Sequence, residues 1–156
     1  FIQIITNIGG TSADMGNAVF VAAMLELPTM AFFTKMSEKI NCGTLIKFSI
    51  LMFCVKHALT YFATNMIMIY LAQVCQMFAY ALFVPASVYY VTEKIAVADR
   101  VKGQSLVTTS MTLSGVFANF AGGIMLDALG VGHVLLAGVI LSIVGAVIVI
   151  LTTEKV

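Results

Sequence analysis

This 156-residue chain has no tryptophan, two prolines and few charges, which make up 10% of its residues. Soluble domains carry about 25% charged residues, so the scarcity excludes water as the main solvent. Its three cysteines, Cys42, Cys54 and Cys75, show neither a CxxC nor a metal-ligand spacing with histidine. That excludes a zinc ribbon or a redox dithiol and makes them small apolar packing residues. There is no phosphate loop, no clustered His/Cys ligand set and no nucleophile beside a base, so no enzyme, metal or cofactor is expected. The net charge is +1 and the basic residues are dispersed through the chain, which excludes a nucleic-acid-binding face.

What fills the chain instead is apolar: 61% of its residues are hydrophobic, gathered in five runs of about the 20 residues that cross a bilayer. The spans fall at about 14–33, 44–62, 66–91, 104–126 and 132–152. Residues 1–8 read as the last turns of an earlier helix, ended by Gly9 and Gly10, and Asp14 is placed to cap the first full span. The expected class is all-α, a polytopic membrane helical bundle, with 1–156 as one transmembrane unit. The chain opens on Phe1 without a basic leader, and the expectation is a piece of something longer.

Lysine and arginine are missing from every second break. Lys35, Lys39, Lys47, Lys94, Arg100, Lys102 and Lys155 flank one set of breaks, whereas the other set holds Asp14, Asp127 and His133. Positive charge is retained on the cytoplasmic side, so alternate crossing puts the 34–47 break, the 92–103 break and the C-terminus there. Pro28 and Pro85 lie inside spans, where each removes a backbone donor and is expected to kink its helix.

Polar residues inside spans avoid lipid and mark interior faces. Gln73, Gln76 and Tyr80 form one stripe on the third span. Thr108, Thr112, Gly115 and Asn119 form one on the fourth, and Ser49, Phe53, Lys56 and Thr60 one on the second. Three such stripes at mid-depth predict a shared polar cavity. The fifth span carries Gly138, Ser142, Gly145 and Ala146 and reads as a packing helix. Glu26 and Lys56 stand out, because a charge at the bilayer centre costs about 2.5–3.5 kcal/mol. They form either a structural ion pair or a proton and substrate site. His57, about 100° around the helix from Lys56, reads as a packing residue.

With these residues and this topology the chain resembles the C-terminal half of a major facilitator superfamily transporter, over its whole length. Phe33-Thr34-Lys35-Met36-Ser37-Glu38-Lys39-Ile40-Asn41 looks like a degraded copy of the family's G-x-x-x-D-R-x-G loop. Asn41 stands where Gly is usual, a residue that tolerates the left-handed conformation. Gly122 to Gly130 resembles the family's ending of its eleventh helix. Within the superfamily the chain looks nearest to the lactose permease, nucleoside and phenylpropionate proton-symporter branch: Val55-Lys56 with Phe62-Ala63-Thr64 is similar to the stretch where lactose permease carries an intramembrane arginine. Gln76 and Ala79 replace that permease's histidine and proton-carrying glutamate, so its coupling chemistry does not transfer whole.

The resemblance implies alternating-access transport of a small solute, proton-coupled symport, with an N-terminal six-helix half as partner and a bacterial inner membrane as location. Glu26, Lys56, Gln73, Gln76, Tyr80 and Asn119 would serve coupling and substrate; Lys35, Glu38, Lys39, Asp99 and Arg100 would form a cytoplasmic loop network. Two alternatives remain at this point: a proton-driven drug or metabolite exporter on the same fold, and a truncated membrane interaction module without transport.

Overall fold

A computed structural model describes residues 1–154; Lys155, counted above among the basic residues, lies outside them. Its helices are α1 (Ile2–Asn7), α2 (Ser12–Ser37), α3 (Cys42–Tyr61), α4 (Met66–Lys94), α5 (Arg100–Leu129) and α6 (Val131–Thr152), with a 3-10 turn at Val97–Asp99. Five of them are long and apolar enough to cross a membrane.

Capping fixes where they start. Thr11, not Asp14, caps α2: its hydroxyl accepts the Asp14 N–H at 3.3 Å, and the Asp14 carboxylate accepts the Thr11 N–H at 2.8 Å. The reciprocal pair satisfies two orphan donors at once. Asn41 caps α3 by accepting the Thr44 N–H at 3.0 Å. Its φ is −64°, extended backbone, so the left-handed turn expected there is not formed. Asn65 caps α4 through the Met68 N–H at 3.1 Å.

The helices overrun the expected spans. α2 continues through Lys35 to Ser37, and α4 through Lys94, because no glycine or proline stops them when the chain turns polar. Asp127 lies in the last turn of α5 rather than in a loop. The reversal into α6 takes the single residue Gly130, whose φ of +81° is open to glycine at little cost. α2 and α4 run on as helices through Pro28 and Pro85. Shortly after each proline a hydroxyl turns back on the helix: Thr29 Oγ1 donates to the Leu25 carbonyl at 3.2 Å, and Ser87 Oγ to the Val84 carbonyl at 2.7 Å.

α4 is the central element. Its buried residues, from Ile69 through Ala79, Leu82 and Ala86 to Val91, pack chiefly against α3 and α2. Phe33, Cys42, Leu45, Ile46, Leu82 and Ala86 form a core near the basic end, closed by the edge-on contact of Phe33 and Tyr89 with centroids 5.3 Å apart. α6 lies against α3, where the Cys54 thiol donates to the Ser142 carbonyl at 3.2 Å.

α5 has one buried residue, Gly103. A Cβ there would stand 2.5 Å from Ile95 Cδ1 and 2.8 Å from Val91 Cγ1, so only glycine lets α5 approach the end of α4 this closely. The rest of α5 presents Leu106, Leu113, Val116, Phe117, Phe120 and Ile124 to its surroundings. For a membrane helix, lipid or another protein surface is the fitting cover.

Candidate functional site

α2, α3 and α4 turn their polar side chains toward one cavity of about 460 Å³. α2 supplies Ala22 and Glu26, α3 supplies Lys56, His57 and Thr60, and α4 supplies Gln73 and Gln76. Phe1, Ile4, Val19, Ala23 and Leu135 make its apolar walls. Helical periodicity put Ala22, Thr29 and Phe33 on one face with Glu26, and all three are buried. At 1.5 Å per residue, Glu26 lies roughly 16 Å and Lys56 roughly 21 Å from the basic ends of their helices. Both are therefore deep within a hydrocarbon layer about 30 Å thick.

The two charges do not pair. Lys56 Nζ donates to Gln76 Oε1. The ion pairs among the described residues are Lys94–Glu154 and Lys102–Asp99. Glu26 shares the cavity with Lys56 yet keeps its carboxylate free of any ammonium, while Lys56 is held by a neutral amide. One lone pair of the Gln76 oxygen is used by Lys56, and its N–H groups make no hydrogen bond among the described residues. Gln73 is 7% exposed and makes no side-chain hydrogen bond among the described residues, although it lines the same cavity. Its amide atoms are open to the cavity rather than sealed within the protein, so a bound solute can hydrogen-bond to them.

His57 also faces this cavity, which the sequence had not indicated. Its Nδ1 lies 2.7 Å from the Phe53 carbonyl; a carbonyl only accepts, so Nδ1 carries the proton and Nε2 is left free. The available signal was its spacing of three residues from Thr60, which puts both on one side of α3. The ring also packs toward Gly138 of α6, whose added Cβ would lie 3.5 Å from His57 Cδ2.

Two expected members lie elsewhere. Tyr80 is 40% exposed and outside the cavity lining. Asn119 Nδ2 donates to its own helix, at the Gly115 carbonyl, 2.9 Å away. It borders a separate cavity of about 310 Å³ with Gln3, Gly122 and Gly123. Thr112 likewise donates to the Thr108 carbonyl at 3.0 Å. Thr112 and Asn119 on the α5 stripe thus bond to their own backbone, and no α5 residue lines the cavity of α2, α3 and α4.

At the basic end, Asp99 accepts from Lys102 at 2.8 Å, and Lys35 Nζ sits 5.7 Å over the Phe32 ring. Arg100 Nε is buried and makes no hydrogen bond among the described residues. Among the described residues Glu38 and Lys39 join no ion pair either, and no hydrogen bond or ion pair links these five residues to one another. The long-range tie is instead Lys94–Glu154, with the Glu154 N–H donating to Tyr90 Oη at 3.3 Å. The Lys94 hydrogen bond, and then its charge, hold the Glu154 carboxyl below its ordinary range. This contact puts the ends of α4 and α6 on one side of the bundle, as alternate crossing requires.

The family model described as the Major Facilitator Superfamily matches residues 1–156. No curated protein and no solved structure matches the chain. A match over residues 1–156, on an all-α bundle with five membrane-length helices and a polar interior cavity among the described residues, leads to one conclusion. The chain belongs to the Major Facilitator Superfamily: it is a multi-pass membrane protein that serves the transport of a small solute across a lipid bilayer and is not an enzyme.

Proposed function

We propose that this chain is the C-terminal half of a proton-coupled symporter of the lactose permease, nucleoside and phenylpropionate branch, seated in a bacterial inner membrane with its C-terminus cytoplasmic. The observation that carries the reading is the free Glu26 carboxylate facing Lys56 across one membrane cavity. An intramembrane carboxylate without a fixed countercharge is the group a proton relay requires. Lys56 falls at the position similar to lactose permease's intramembrane arginine and holds a donor for substrate. The N-terminal half would close the open side of the cavity, and rocking of the two halves would expose the site alternately to each face.

The test uses the full-length transporter in proteoliposomes. An inward proton gradient is expected to drive accumulation of radiolabelled solute, and dissipating the gradient with a protonophore should stop it. Depletion of solute from the lumen under the same gradient would replace symport with antiport, and transport indifferent to the gradient would remove proton coupling.

Orientation is checked separately, in a version of the transporter without Cys42, Cys54 and Cys75. Lys39→Cys and Ala98→Cys are expected to react with an impermeant maleimide only from the cytoplasmic side, and Ser12→Cys only from outside. The basis is the segregation of the basic residues into one set of breaks. Reaction of Ser12→Cys and Lys39→Cys from the same side would overturn the crossing order.

A further inference from the structure

We infer that the basic end of α5 holds a phosphate group, that of a lipid headgroup, in a groove formed by Arg100, Gln104, Ser105 and Thr108. The groove lies apart from the cavity of α2, α3 and α4 and does not depend on what that cavity carries. Four observations lead to it.

First, the charge of Arg100 is unanswered. Its Nε is withdrawn from solvent and makes no hydrogen bond among the described residues, and its guanidinium joins no ion pair among them. A charged donor withdrawn from water without an acceptor is unfavourable, and such a group calls for an acceptor from outside the helix that carries it. The nearby acids are engaged: Asp99 accepts from Lys102 at 2.8 Å, and Glu154 is held by Lys94.

Second, the groove, of about 480 Å³, is lined by Arg100, Val101, Gln104, Ser105, Thr108 and Thr109. These positions repeat every four residues in two adjacent rows, so one face of α5 carries a guanidinium, an amide and three hydroxyls. Thr29, Thr60, Thr92 and Thr112 bond back to carbonyls of their own helices. Ser105, Thr108 and Thr109 do not, and their hydroxyls line the groove without a hydrogen bond among the described residues. A planar guanidinium beside several O–H donors suits a phosphate, whose oxygens accept bidentate, charge-assisted hydrogen bonds.

Third, depth selects the source. α5 and α6 meet at the single residue Gly130, yet α5 has 30 residues and α6 has 22. At 1.5 Å per residue, α5 reaches about two turns further at the basic end. α6 alone matches a hydrocarbon layer about 30 Å thick, so the first turns of α5 stand in the headgroup layer, level with lipid phosphates. Basic pockets on helices at this level are where anionic headgroups bind.

Fourth, the groove sits where α5 is fastened to α4. Gly103 packs against Val91 and Ile95, and Gln104 Nε2 donates to the Val88 carbonyl at 2.8 Å. Beyond this corner α5 has no buried residue. A phosphate on Arg100 and the adjacent hydroxyls stiffens that attachment, so binding stabilises the folded protein by mass action.

The experiment uses the purified full-length transporter in detergent, stripped of bound lipid, with thermal unfolding as the readout. The probes are dihexanoyl phosphatidylglycerol, dihexanoylglycerol, which has the same chains and no phosphate, and inorganic phosphate. Phosphatidylglycerol is expected to raise the unfolding temperature saturably, and the other two to leave it unchanged at the same concentration. Arg100→Gln should weaken the apparent affinity about tenfold or more and Ser105→Ala about threefold. Lys39→Gln, which removes the same charge from the end of α2, should change it less than about twofold. Arg100→Lys keeps the charge and loses the planar fork, so it should fall between wild type and Arg100→Gln; it carries the test if Arg100→Gln does not fold. Equal stabilisation by dihexanoylglycerol would show that the chains alone bind, and the phosphate would drop out. Inorganic phosphate acting at the same concentration as the lipid would overturn the lipid source. Affinity unchanged in both Arg100 variants would take the groove out of the site. The proposal also fails if phosphatidylglycerol shows no saturable binding; a lower unfolding temperature of lipid-free Arg100→Gln would then assign the guanidinium to an acidic side chain elsewhere in the transporter.

Discussion

Glu26→Gln in the complete transporter is expected to abolish solute-driven proton movement while solute exchange across the membrane stays within about threefold of wild type. A threefold change is about 0.65 kcal/mol, small beside the loss of a transition or binding contact. Glutamine keeps the shape of the protonated acid and offers no site for the proton. The cavity would therefore remain in its solute-accepting form, and exchange, which needs no net proton transfer, would continue. Of the other acids, Asp14 is tied into the cap of α2, Asp99 and Glu154 are held by lysines at the basic end, Glu38 and Glu93 lie at the basic ends of α2 and α4, and Asp127 lies in the last turn of α5. None of these lines the cavity. Proton movement would be followed with a pH-sensitive dye and exchange with radiolabelled solute. Proton uptake undiminished in the mutant would take Glu26 out of the mechanism and move coupling to the N-terminal half.

The sequence carried the class and the crossing elements because both depend on composition and on 3.6-residue periodicity, which are local. Periodicity states which residues share a face of one helix, as with Ala22, Glu26, Thr29 and Phe33. It does not state which helix stands opposite. Glu26 and Lys56 were natural partners by charge, but Lys56 reaches Gln76 on α4 instead. Stripes carry a second ambiguity. On α4 the amides point at neighbouring helices and at the cavity, whereas on α5 Thr112 and Asn119 bond to carbonyls one turn back. The two cases look the same in sequence, because short polar side chains satisfy themselves within a helix. Helix ends were misjudged for a similar reason: a polar residue ends a membrane span without ending a helix, as Lys35 and Lys94 do. The tie between Lys94 and Glu154 spans 60 residues, and only the packing of both α4 and α6 against α3 brings it about.

The partner of Lys56 is open to a double-mutant cycle in the full-length protein. Lys56→Met removes a cation, and with it the donor that satisfies the Gln76 oxygen; Gln76→Leu removes the acceptor and leaves a buried ammonium with no amide. Each single change strands a polar group in a low-dielectric site, which costs more than removing both together. The pair is therefore expected to be non-additive, with a coupling of about 1.5 kcal/mol, the lower range for a hydrogen bond to a charged group. Lys56→Met combined with Glu26→Gln should show a smaller coupling than the Lys56–Gln76 pair, because the two side chains attract through space across the cavity but share no bond. Unfolding free energies from detergent titration supply the readout. Transport provides a second one: Lys56→Met with Gln76→Leu should recover stability and still fail to move solute, since the cation is gone. Strong coupling between Lys56 and Glu26, with additivity between Lys56 and Gln76, would replace the amide-held lysine by a buried ion pair and withdraw the free carboxylate from the coupling argument.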